Sequence, residues 1–234
     1  MEPKKNEKIL AAVASLKYVQ NGMVIGLGSG STAEHMIRKL ADEIAKGLTI
    51  LAVPSSEKTE NLAKELGIPL TSLDESGLLD INIDGADEFD GDLQLIKGGG
   101  GALLREKILA HNAKLNIIIT DSSKEVNKLG KFKLPLETIP FATNSILAQL
   151  DEMGLKPVLR KPNGTTYRTD ENNFVVDVDI LQYDDLNELN SKLVQIPGIV
   201  ETGLFLASTD IIIMGKGDKA IFFRNNRQKE RKFK

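Results

Sequence analysis

The sequence predicts an α/β protein: a Rossmann-like, mainly parallel sheet domain with a small ferredoxin-like α+β domain inserted near its end. Three observations carry this expectation. Over the first 121 residues, apolar strand-like runs alternate with helix-like segments, the pattern of a parallel sheet covered by helices. After Gly130 the order becomes β-α-β-β-α-β, that of a ferredoxin-like unit. Two further apolar runs, TDIIIMG (209–215) and AIFFRN (220–225), then follow and are expected to rejoin the first sheet. The predicted division is therefore 1–129 plus 206–225 for the α/β domain, 130–205 for the small domain and 226–234 for a basic tail.

Taken in order, residues 5–20 place Ile9, Val13, Leu16 and Val19 at helical spacing, which predicts an amphipathic helix. MVIGLG (23–28) is a strand, and a helix runs from about Ser31 to Lys46. LTILAVP (48–54) is the next strand, leading into the helix SEKTENLAKEL. Strand-like runs continue with IPLTSL (68–73), LLDINID (78–84), LQLIK (93–97) and LNIIITD (115–121), the last two separated by a helix from Ala102 to about Asn112. In the second part LPLETIPF, KPVLR, FVVDVDI and IVETGLF read as strands, with NSILAQLDEMG and DLNELNSKLVQI as helices. A polar turn containing Asn163-Gly164 joins the two middle strands.

Composition narrows the function classes. The chain has 234 residues, 41% of them hydrophobic, enough for a large core. With no cysteine, neither a disulfide framework nor a thiolate metal site is available. Only His35 and His111 could serve a histidine-based zinc site or a Ser-His-Asp triad. No apolar run approaches the roughly 20 residues of a membrane span, and MEPKKNEKIL has no signal-peptide core, so a cytoplasmic protein is expected. A net charge of −3 gives no general attraction for nucleic acid. Residues 224–234, RNNRQKERKFK, carry six basic side chains and one acid; a solvated terminus is the simpler reading, with RNA or lipid contact the alternative.

Five polar clusters follow directly after strands: Ser29-Gly30-Ser31-Thr32, Ser55-Ser56, Asp84-Gly85-Ala86-Asp87-Glu88, Lys97 with Gly98 to Gly101, and Asp121-Ser122-Ser123-Lys124. In open α/β sheets ligands bind beyond the carboxyl ends of the strands, so five such clusters at one edge predict a site. GLGSGSTAEH nearly matches a dinucleotide fingerprint, yet the next strand ends in AVPSS, without the acid that would hold a ribose. No lysine follows the glycines, which excludes a Walker loop. What remains is a Gly/Ser/Thr turn opening a helix, suited to one phosphate or other anion. Ser31 or Thr32, with Glu34 nearby, is also expected to cap that helix. The acidic stretch around Asp84, Asp87, Glu88, Asp90 and Asp92 does not fit a calcium loop. Glu88 to Asp92 read as a solvated turn, whereas Asp84 ends an apolar strand and should point into the crevice.

Glu106 has Ala102, Leu103, Leu109 and Ala110 as its helical neighbours. A carboxylate on an apolar stripe is desolvated, which raises its pKa towards the range of a general base. A pair with Arg105 or Lys107, or a place at the solvent edge, is the ordinary alternative. Lys97 and four glycines just upstream favour catalysis.

GLGSGST, NIDGADE, KGGGGALLREK and TDSSK, in this order and at these separations, resemble the A-type ribose-5-phosphate isomerases, as do LGKFKLPLE and IPGIVETGLF. The resemblance extends to about residue 223. It implies a metal-free, cofactor-free interconversion of ribose 5-phosphate and ribulose 5-phosphate in the non-oxidative pentose phosphate pathway. It further implies Glu106 as the base between C1 and C2, and Asp84 and Asp87 on the sugar hydroxyls, with Asp84 favoured for ring opening. Lys97 with the N–H groups of Gly98, Gly99 and Gly100 would face the enediolate. Ser29, Gly30, Ser31, Thr32 and Lys124 would take the phosphate, beside Gly85 and Ala86. The partner is a small sugar phosphate, and a homodimer or homotetramer is expected. Gly101 stands where the resemblance leads one to expect Ala, a change expected to loosen the helix start slightly. Two competing readings are an amino-sugar phosphate deaminase, which leans on a histidine, and a non-catalytic sugar-phosphate sensor. Neither His35 nor His111 falls in a cluster, and the 22 residues before the first strand are short for a DNA-binding segment.

Overall fold

The computed structural model describes residues 2–225, with side chains from Lys4 onward; the tail expected at 226–234 lies outside the described residues. The helices are α1 (Glu2–Ser15), α2 (Ser31–Ala45), α3 (Glu57–Glu65), α4 (Leu73–Ser76), α5 (Leu103–His111), α6 (Thr143–Glu152) and α7 (Leu186–Val194). The strands of the first part are β1 (Val24–Leu27), β2 (Leu51–Pro54), β3 (Leu79–Asp84), β4 (Glu88–Phe89), β5 (Leu95–Ile96) and β6 (Ala113–Asp121). They are followed by β7 (Leu134–Thr138), β8 (Val158–Leu159), β9 (Phe174–Val178), β10 (Ile199–Thr202), β11 (Leu204–Phe205), β12 (Ile211–Lys216) and β13 (Lys219–Arg224).

A six-stranded sheet in the order β13-β12-β6-β3-β1-β2 is parallel throughout except for β13, which returns antiparallel along β12. The inner strands β6 and β12 carry runs of isoleucine because both faces are covered there, whereas β13 at the edge is only partly buried. Alternation assigns the faces: Ile117, Ile119, Ile211 and Ile213 join Ala11 and Met36 in one core, while Ile118, Ile212 and Met214 join Phe89 and Phe205 in another. A second sheet runs β10-β7-β9-β8, all antiparallel, with its own core of Leu134, Leu136, Ile146, Val176, Leu189 and Leu193. Counted within that unit, the spatial order is fourth, first, third, second strand of a β-α-β-β-α-β chain, as a ferredoxin-like unit requires. Among the described residues no helix is long and apolar enough to cross a membrane.

Four local expectations are corrected. IPLTSL is not a strand: Leu70 makes one bridge to Ala52, and Ser72 with Glu75 forms a capping box that starts α4. LQLIK does not enter the large sheet; β5 pairs antiparallel with β4 and β11 in a three-stranded sheet. IVETGLF accordingly splits, β10 serving the second sheet and β11 the third. In α1 the buried side chains are Glu7, Ala11, Ala12 and Ser15, and Val13 is 49% exposed. Apart from Glu7, whose carboxylate accepts from Ser122 and the Gly217 N–H, the inward residues are small because α1 packs closely on α2 and β12.

Candidate active site

β1, β3 and β6 lie side by side and parallel, so the segments that follow them emerge at one edge of the sheet. There Ser29, Gly30, Ser31 and Thr32, Gly85, Ala86 and Asp87, and Lys124 enclose a cavity of ≈ 120 Å³. Lys97, Gly98, Gly99, Gly100 and Glu106 form its remaining wall together with Lys8. Every site residue expected from the sequence except Asp84 lines this cavity, and Asp84 contacts Lys97 directly behind it.

One end of the cavity gathers groups that suit an anion. Helix α2 begins at Ser31, and its cap is Gly30, with φ 92° and ψ 174°. No side chain caps the helix, contrary to the expected Ser31 or Thr32 cap. The first N–H groups of a helix have no intrahelical acceptor and carry the positive end of its dipole, so this end is open to an anion. Gly30 makes this possible, because a positive φ is costly for any residue with a Cβ. Lys8 donates to Ser31 Oγ at 2.8 Å and lies 3.9 Å from Asp121, and Lys124 approaches from the turn after β6. Ser55 and Ser56 do not line the cavity. Their hydroxyls hydrogen-bond to Ser29 Oγ at 2.8 Å each and support the turn from behind.

The other end holds buried charge. Lys97 Nζ is 3.0 Å from Asp84 Oδ2 and 3.4 Å from Glu106 Oε2, and it donates to the carbonyl of Gly85. Lys97, Asp84 and Glu106 are 3%, 1% and 5% exposed, so none can be neutralised by water; each depends on the others. Burial pushes the Glu106 carboxyl up to about 8; the Lys97 charge opposes the rise, and Asp84 and Asp87 add to it. Burial also pulls the Lys97 ammonium down, but Asp84 and Glu106 outweigh it and hold its pKa above the ordinary value. Asp84 Oδ1 accepts the N–H groups of Ser29 (3.0 Å) and Gly85 (2.7 Å), locking two of the cavity loops together. Asp87 accepts the Gly99 N–H at 2.7 Å and remains at the cavity wall.

Glu88 departs from the solvated turn expected of it. It is 3% exposed, and its carboxylate accepts the N–H groups of Gly130 and Phe132 at 2.8 and 2.6 Å, fixing the entry to the second sheet. Lys8 has no local signature in the sequence: it is one of several lysines in α1 and lies outside that segment's apolar stripe. Arg160 and Tyr167, which hydrogen-bond to the glycine loop, were equally invisible. A larger cavity, ≈ 680 Å³, lies between α5 and α7, but its lysine, Lys107, is already paired with Glu201 at 2.7 Å. No group of three or more His, Cys, Asp or Glu suited to a metal ion occurs among the described residues.

Comparison with known proteins agrees with this geometry. The family "Ribose 5-phosphate isomerase A (phosphoriboisomerase A)" matches residues 51–219. Ribose-5-phosphate isomerase A of Sphingopyxis alaskensis is 44% identical over 212 residues, covering 91% of this chain and 93% of the relative. That of Listeria monocytogenes is 45% identical over 217 residues, covering 92% and 97%. Among solved structures, ribose 5-phosphate isomerase A from Methanocaldococcus jannaschii superposes with a TM-score of 0.89 at 40% identity, covering 93% of this chain and 98% of that one. A D-ribose-5-phosphate isomerase in complex with phospho-erythronic acid gives 0.90 at 37% identity, covering 93% and 97%. Fold, cavity and sequence thus converge: the chain belongs to the ribose 5-phosphate isomerase A family, and it is an isomerase.

Proposed function

We propose that this enzyme interconverts D-ribose 5-phosphate and D-ribulose 5-phosphate through an enediolate, with Glu106 as the base, in the non-oxidative pentose phosphate pathway. The observation that carries the reading is the desolvated Glu106 carboxylate beside the buried Lys97 ammonium, at the far end of a cavity whose other end is a helix N-terminus with no side-chain cap. The phosphate sits on the N–H groups of α2 between Lys8 and Lys124, with the hydroxyls of Ser31 and Thr32. The sugar chain then extends towards Glu106. In the open-chain aldose, Glu106 removes the C2 proton, and the electron pair forms the C1–C2 double bond as the carbonyl oxygen gains charge. Returning that proton to C1, while the O2 proton passes to O1, leaves the ketose. Lys97 and the N–H face of the glycine loop stabilise the oxyanion, a contribution that is large in a dry site. Asp87, at the cavity wall, is placed to take the proton of the anomeric hydroxyl and return it to the ring oxygen as the bond between C1 and the ring oxygen breaks. Asp84, whose Oδ1 already accepts two N–H groups, is better suited to hold Lys97 than to reach the sugar. The solved relative bound to phospho-erythronic acid supports the reading, since that compound joins a phosphate to a carboxylate that resembles a planar enediolate.

The test is conversion of ribose 5-phosphate by EDTA-treated protein beside Glu106→Gln. Activity should survive chelation, and the variant should lose about 10²–10⁴ in kcat while still binding inorganic phosphate. A fully active Glu106→Gln variant would remove Glu106 from the role of base.

A further inference from the structure

The glycine loop is held in shape by the second sheet. Arg160, just after β8, has a side chain 15% exposed. Its Nε donates to Asp177 Oδ2 at 2.9 Å and its Nη2 pairs with Asp177 Oδ1, which fixes the plane of the guanidinium. Its Nη1 donates to the carbonyls of both Gly98 and Gly99, at 3.0 Å each. Tyr167, whose N–H donates to the Arg160 carbonyl at 2.9 Å, places its hydroxyl 2.8 Å from the carbonyl of Gly100. Three successive carbonyls are therefore drawn to the same side.

In a trans peptide the C=O and N–H point in opposite directions, so the N–H groups of Gly99 and Gly100 face away from Arg160. The Gly99 N–H reaches Asp87 at the cavity wall, which identifies that side as the reacting one. Gly101 belongs to the same device. Its φ is 83°, and a Cβ there would collide with the Tyr167 hydroxyl and ring, so the fourth glycine seats the tyrosine rather than loosening the helix. Four free glycines would leave this loop with the greatest conformational entropy any sequence can give. Only a planar fork can clamp two carbonyls with one edge and a carboxylate with the other.

We propose that Arg160, set by Asp177 and assisted by Tyr167, is a positioning residue for the isomerisation, holding the glycine loop so that the Gly99 N–H stays on Asp87 and the Gly100 N–H is turned to the reacting oxygens. The inference rests on the isomerase reading above. It couples the inserted domain to the chemistry without any contact between Arg160 and the sugar.

The experiment compares wild type, Arg160→Ala and Glu106→Gln in the full chain. It follows kcat, KM, inhibition by inorganic phosphate, and amide hydrogen exchange of segments 96–103 and 28–36. Arg160→Ala should lose about thirtyfold or more in kcat, as misplaced catalytic groups do, with KM and phosphate inhibition within about threefold. Exchange should quicken in 96–103 and stay unchanged in 28–36. Added guanidinium ion should restore part of kcat to Arg160→Ala and none to Glu106→Gln. Wild-type kcat in Arg160→Ala would overturn the proposal. So would a fall in kcat that comes with lost phosphate inhibition, quickened exchange in both segments and no rescue. An inactive wild type would instead overturn the isomerase reading, in an arm that involves no variant.

Discussion

The pH dependence of turnover offers the sharpest check on the buried charge cluster. The perturbation is a change from pH 8 to pH 6.5 with wild-type enzyme and ribose 5-phosphate. Burial holds the Glu106 carboxyl at about 8 rather than 4.5, and the base works only when ionised. The ionised fraction then drops from about one half to about 3%, so kcat/KM should fall about 16-fold, with a slope approaching one per pH unit. The substrate phosphate, with a second pKa near 6, changes its dianion fraction by only about 1.3-fold over this range. A base with the ordinary carboxylate pKa would be almost wholly ionised at both ends, and the profile would be flat. The assay is initial-rate formation of ketose at low substrate, at constant ionic strength. A profile flat to within about twofold would refute the argument that desolvation dominates at Glu106.

Two further outcomes follow from the geometry. Gly28→Ala should destabilise the protein by at least about 2 kcal/mol in urea unfolding and impair turnover, because the new Cβ would overlap Asp84 from its carboxylate to its Cα. Gly91→Ala, in open space, should stay within about 0.5 kcal/mol and serves as the control. Lys8→Met should raise KM and weaken phosphate inhibition about tenfold, as loss of one charge-assisted contact predicts, with kcat within about threefold. An unchanged KM would remove Lys8 from the phosphate end.

Glu106 was legible because its neighbours at three and four residues are all apolar, and local periodicity is a property of the chain itself. The same holds for the clusters after β1, β3 and β6, since parallel strands separated by helices must send their carboxyl ends to one edge. Glu88 was misread for the complementary reason. Its burial depends on the N–H groups of Gly130 and Phe132, more than forty positions away, and no local pattern encodes them. The capping expectation at Ser31 failed because a cap signature in sequence does not reveal that Gly30 takes a φ of 92° and leaves the helix end open.

By itself the sequence determined the broad alternation of elements, the family resemblance, and every cavity-lining group except Lys8. Only the tertiary structure decided how those groups are arranged around the cavity. That Asp84 meets Lys97, that a lysine of the first helix reaches the start of α2, and which way the glycine carbonyls point all depend on close approaches between distant segments. The pairs Lys8–Ser31, Asp84–Lys97 and Arg160–Gly98 are 23, 13 and 62 residues apart, and side-chain direction across such separations is fixed by packing rather than by local preference.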